Sequence, residues 1–157
     1  MTMKEKVLEA FSGLGFKLEE TEGLGYRFGY EGLNLLYMYN EDDENFLNIA
    51  LPCIYECEEG KALQICSLLE KINSYLKYIK AYLLDDCVWL FYERELLSEE
   101  EDLRIVISRM IRRLEAGFYF AHKTIKEIEN LVTDGTAEEC DAEEIESEES
   151  SDDDENR

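Results

Sequence analysis

KINSYLKYIKAYLLDDCVWLFYEREL, running from Lys71 to Leu96, is the stretch that decides the fold. Its first residues complete an apolar stripe of Leu63, Cys66, Leu69, Ile72 and Leu76 at steps of three and four, the signature of a helix with one buried face. From Tyr78 to Leu83 and again from Val88 to Glu93 the period changes to that of strands. Only Leu84-Asp85-Asp86-Cys87 separates these two runs, which predicts an antiparallel pair joined by a tight turn. A helix followed by a hairpin must bury its stripe against the sheet that the hairpin belongs to.

Towards the N-terminus, the helix spans about residues 58 to 74, and three extended segments precede it. Phe16 to Thr21 begins the first and, beyond Glu22-Gly23-Leu24-Gly25, Tyr26 to Tyr30 completes it, its glycines suggesting a bend. Leu33 to Tyr39 (LNLLYMY) is the second. The charged link Asn40 to Asn45 leads to the third, Phe46 to Tyr55 (FLNIALPCIY), where Leu47, Ile49 and Leu51 alternate toward one face. Pro52 cannot donate to a ladder and is expected on an edge or at a bulge. A first helix covers about Lys4 to Ser12, with Thr2 and Glu5 spaced as a capping box and Val7, Leu8 and Phe11 at helical intervals.

Towards the C-terminus, Ser98 with Glu101 reads as a second capping box, opening a long helix that keeps one face apolar from Leu103 through Leu114 and Phe118 to Ile128. Beyond Asn130 the periodicity stops. The segment TDGTAEECDAEEIESEESSDDDENR is charged and poor in apolar residues, so it is expected to form a disordered acidic tail. Two regions follow: a folded domain over residues 1–132 and an acidic tail over residues 133–157.

The element order α-β-β-β-α-β-β-α predicts an α+β fold, with one five-stranded antiparallel sheet packed with helices. This order, the polar hairpin in NEDDEN, the Lys71 to Leu96 block and the long closing helix resemble the YbjN family, which shares the fold of type III secretion chaperones. The resemblance covers about residues 3 to 130. It implies a small bacterial chaperone-like or regulatory domain, often dimeric, that recognises protein partners and has no known catalytic activity.

Charge narrows the partners. The chain carries 38 acidic residues against 16 lysines and arginines, a net charge of −22. Such a field repels phosphate backbones and anionic lipid surfaces, so neither nucleic acid nor a membrane is the expected partner. The excess is uneven: residues 134–157 hold 13 acidic residues and one basic, while residues 1–133 hold 25 and 15. The tail is a candidate electrostatic adaptor for a basic protein, or simply a solubilising segment. The start of the chain has no apolar run of signal-peptide type, and the cysteines are odd in number, so a cytoplasmic protein with reduced and mostly buried thiols is expected.

No motif nominates a reaction. The glycines Gly23, Gly25, Gly29 and Gly32 do not form a phosphate-binding loop, and Cys53-x-x-x-Cys57 lacks the second pair that a structural zinc requires. The lone His122, as a base activating Cys87 or Cys66, would need a third orienting group that the sequence does not nominate, and Glu41-Asp42-Asp43-Glu44-Asn45 lacks the alternating ligands of a calcium loop. No catalytic residue, cofactor or metal is therefore expected.

The informative feature is apolar character on both faces of the strands. In LNLLYMY the two alternating sets are Leu33, Leu35, Tyr37, Tyr39 and Leu36, Met38; in VWLFY they are Val88, Leu90, Tyr92 and Trp89, Phe91. A sheet covered by helices on one face only should alternate apolar with polar. The second face needs a cover, supplied by another helix of this chain, a second subunit of a homodimer or a client protein. Tyr37, Met38, Tyr39, Trp89 and Phe91 are the candidate partner-binding residues, of the types that interfaces favour.

Overall fold

The computed structural model describes the backbone of residues 1–155 and the side chains of residues 1–133. The acidic tail expected over residues 133–157 lies almost wholly outside the described side chains.

Helix α1 (Met3–Gly13) starts as its sequence predicts: the Thr2 hydroxyl accepts from the Glu5 amide and the Glu5 carboxylate accepts from the Thr2 amide. Its buried face is Met3, Val7, Ala10 and Phe11. The strands are β1 (Glu19–Thr21), β2 (Gly25–Tyr30), β3 (Leu33–Met38), β4 (Phe46–Glu56), β5 (Ile79–Leu84) and β6 (Cys87–Glu95). Helix α2 (Ala62–Tyr75) precedes β5, and α3 (Leu103–Glu155) closes the chain. The fold is α+β, with three helices on a fully antiparallel sheet ordered β1-β2-β3-β4-β6-β5.

The sheet has six strands where five were expected. Gly23 sits at φ +76 and the Leu24 amide donates to the Thr21 carbonyl, so residues 22–24 reverse the chain. Glu19 thereby pairs with Arg27, and Thr21 with Gly25. What read as one interrupted strand is a hairpin, with a short exposed β1 that carries no apolar alternation. Gly25 is irreplaceable in this arrangement, because a Cβ there would lie 2.1 Å from the Tyr37 carbonyl oxygen.

Pro52 lies at a bulge and not on an edge. Strand β4 is interior, and its register with β6 shifts between Leu51 and Tyr55, which removes Pro52 from the ladder. The edge strand β5 is closed instead by α2: Asn73 donates to the Ala81 carbonyl and accepts from the Ala81 amide, both at under 3 Å.

The expected capping box at Ser98 is also corrected. Helix α3 begins at Leu103, with the Asp102 carboxylate accepting from the Arg104 and Ile105 amides. Ser98 instead caps a preceding turn, and Glu101 is engaged by Arg94 and the Leu97 amide.

All three helices share one side of the sheet. There Leu35, Ile49, Leu51, Val88 and Leu90 meet Phe11, Ile65, Leu68, Ile72, Ile107, Met110 and Leu114, each at 2% exposure or less. Side chains of this size contribute roughly 1.5–3 kcal/mol each when fully buried.

The cysteine expectation fails in two ways. Cys53 and Cys87 form a disulfide, their Cα atoms 5.0 Å apart, because the β4 bulge turns Cys53 toward the first residue of β6. None of the four described cysteines is buried: Cys53 and Cys66 are exposed, and Cys57 and Cys87 are half-buried. Among the described residues no helix is long and apolar enough to cross a membrane.

Candidate helix-free sheet face

Strand alternation sends each candidate residue to a definite side. On β3, Leu35 and Tyr37 point to the helices, and Leu36 and Met38 point away; on β6, Val88, Leu90 and Tyr92 point to the helices, and Trp89 and Phe91 point away. The five sequence candidates are thus divided. Met38, Trp89 and Phe91 share the helix-free face, whereas Tyr37 and Tyr39 belong to the helix-covered core.

Tyr37 packs beneath α1, its ring 5.5 Å from Phe11 and 6.0 Å from Tyr26, with Tyr39 at 6.4 Å. Burial pushes its hydroxyl well above the ordinary phenol range, and the neighbouring Tyr39 and Tyr26 hydroxyls add to the effect. Lys4 from α1 closes this cluster, its ammonium 4.6 Å above the Tyr39 ring. These contacts make Tyr37 and Tyr39 an internal buttress for α1.

The other face carries a second apolar cluster made, among the described residues, of strand residues alone. Leu36, Ala50 and Phe91 form its buried centre, with Met38, Tyr82, Leu84 and Trp89 packed around them. The register explains the grouping: Leu36 pairs with Ala50, Ala50 with Phe91, and Tyr82 with Trp89. Phe91 is sandwiched in an aromatic stack, 4.3 Å from Tyr82 at an interplanar angle of 6° and 6.0 Å from Trp89 at 15°. Charge rims the row, with Arg27 opposite Leu36 at one end and Lys80 opposite Phe91 at the other. Lys80 is tied to Glu93 at 3.1 Å, and Arg27 sits 3.7 Å from Glu19.

Asn48 is the polar exception within this cluster's surroundings. It is 9% exposed, its amide nitrogen reaches only the Met38 sulfur at 3.9 Å, and its side-chain oxygen has no hydrogen-bond partner. An unpaired buried acceptor costs about 1–3 kcal/mol.

Sequence reasoning missed Ala50, Tyr82, Leu84 and Asn48. The signal for them was parity: Phe46, Asn48 and Ala50 alternate against the obvious apolar set of β4, as Lys80, Tyr82 and Leu84 do in β5. His122 stands exposed on α3 with its ring 4.4 Å from Phe118, and the Asn40–Asn45 link is a turn in which the Asp42 amide donates to the Asn40 side chain.

No family model and no curated protein matches the chain. Among solved structures, the crystal structure of YbjN from E. coli, described there as a candidate transcription regulator, is similar over 76% of this chain and 91% of that one. The TM-score is 0.56 at 12% sequence identity. The chain therefore has a YbjN-like fold.

Proposed function

We propose that this chain is a noncatalytic protein-binding domain, chaperone-like or regulatory, whose helix-free sheet face receives a segment of a protein partner. The observation that carries this reading is the second apolar cluster. Leu36, Ala50 and Phe91 form a buried centre on a side of the sheet where the cluster is built from strand residues alone, with Met38, Tyr82, Leu84 and Trp89 as a partly accessible surround. Aromatic residues and methionine at the middle of a patch with charged residues at its rim are the composition of interface cores. The description of YbjN as a candidate transcription regulator is compatible with regulation exerted through protein contacts, which the acidic charge of this chain also favours over direct contact with a nucleic acid.

The test is the charge-introducing pair Met38→Glu and Trp89→Glu in the full chain, with Tyr119→Glu on α3 as the control. Each variant is isolated by affinity from its native cells, and the amount of any specifically bound protein is measured after circular dichroism has verified the fold. The two sheet-face variants should lose the bound protein and the control should keep it. Retention by all three, or equal loss from all three, contradicts the proposal.

A further inference from the structure

The first three turns of α3 run against the charge of the rest of the chain. Residues 103–114 contain Arg104, Arg109, Arg112 and Arg113 and no carboxylate, in a protein of net charge −22. None of the four is ion-paired among the described residues: the arginine pairs there are Arg27 with Glu19 and Arg94 with Glu101. Arg113 lies over the Tyr78 ring at 4.5 Å, and Arg104 lies against Gly13 at the end of α1. Arg109 and Arg112 stand exposed.

Helical spacing sets Arg104, Ser108 and Arg112 in one row and Ile105, Arg109 and Arg113 in the neighbouring one. Between them and α1 runs a shallow depression of about 290 Å³, lined by Leu14, Arg104, Ile105, Ser108, Arg109 and Arg112. Ile105 is 51% exposed at its floor. Planar guanidinium forks grip carboxylates with two parallel hydrogen bonds, and an apolar floor accommodates the backbone and side-chain stems of a polypeptide. The chemistry matched is that of an acidic polypeptide segment.

Residues 134–157 of this same chain, with 13 acidic residues and one basic, are such a segment. The two charges are carried far apart. From Arg113 to Asp134 is 21 steps of α3, about 31 Å at 1.5 Å per residue. A chain cannot easily bring its acidic residues back along its own helix, but a second copy lying antiparallel brings them directly to the ridge. The parallel arrangement would instead superpose like charges. Aligning Arg109 with Glu144 of the second copy centres the twofold axis between Lys126 and Glu127, so that each of these also faces its opposite charge.

We propose that two copies of this chain associate antiparallel through α3, each arginine ridge receiving the acidic segment of residues 134–157 of the other copy. The ridge lies on the helix side of the sheet, so this pairing leaves the helix-free face open and does not rest on the function proposed above.

Sedimentation velocity on the full chain tests it, from about 0.1 M to about 1 M salt, over which the screening length falls from about 10 Å to about 3 Å. A dimer should form at low salt and weaken at least tenfold at high salt. Arg109→Glu with Arg112→Glu should weaken it at least tenfold at low salt. A second variant, with Asp141, Glu144 and Glu149, which face Arg112, Arg109 and Arg104 in this register, all changed to Lys, should also fail to self-associate, yet mixing the two variants should restore a one-to-one dimer. A monomer at every concentration and salt, including one whose acidic segment folds onto its own ridge, overturns the proposal. So does a dimer that neither salt nor the arginine reversals affect.

Discussion

Phe91 has no exposed surface, although the cluster around it is built from strand residues alone. It owes that burial to Tyr82 and Trp89 stacked on its flanks and to Leu36 and Ala50 along its row, while Asn48, two residues before Ala50 on β4, lies opposite Met38 with its side-chain oxygen buried and unpaired. Replacing Asn48 with Leu removes an acceptor that no group satisfies, so Asn48→Leu should stabilise the free chain by about 1 kcal/mol. Urea denaturation checks this, and a loss of similar size would show that the oxygen is satisfied in solution. The residues of this face were partly legible in the sequence. Met38, Trp89 and Phe91 stood out because both alternating sets of their strands are apolar, yet for the same reason the pattern could not tell which parity faces the helices. Tyr37 and Tyr39, one residue out of step with Met38, therefore belong to the α1 buttress.

At the scale of elements, α1 and the β5–β6 hairpin follow their periodicity closely, whereas α2 starts only at Ala62, has no side-chain cap and buries Ile65, Leu68 and Ile72, leaving Leu63 and Cys66 of the expected stripe exposed. In that hairpin Asp85 and Asp86 both take positive φ, as a two-residue turn requires. The differences arise where two local signals compete. Ser98 and Glu101 have the spacing of a capping box, but Asp102 stands nearer the apolar run and its carboxylate takes the two free amides. Glu101 is released to join Arg94 of β6 and the Leu97 amide, pinning the connection between the sheet and α3. The Arg94 hydrogen bond, foremost, holds the Glu101 carboxyl below its ordinary value of 4.5, with the backbone amides adding to it. A depressed carboxyl stabilises the fold above the unfolded value, and that contribution disappears as pH falls through the folded one. Wild type should therefore be more stable than Glu101→Gln at pH 7, with the two converging as pH drops below about 4.5. Thermal unfolding across that range measures the difference, and a constant gap down to the acid limit would contradict the assignment.

For the whole molecule, the net charge of −22 resolves into parts with different consequences. More than half resides in residues 134–157, the folded domain is moderately acidic, and the start of α3 is locally cationic. Global charge excludes partners effectively but hides this segregation, which only the helical placement of Arg104, Arg109, Arg112 and Arg113 brings out. The sheet likewise separates two surfaces: helices on one side, and on the other an apolar cluster built from strand residues alone. The most direct measurement of the central claim is site-specific photo-crosslinking in native cells, with the reactive group placed in full-length protein at Tyr82 on the helix-free face or at Lys123 on the exposed side of α3. A discrete heterologous adduct is expected from Tyr82 and is absent from Lys123. No adduct from Tyr82, or the same heterologous adduct from both positions, would contradict the claim.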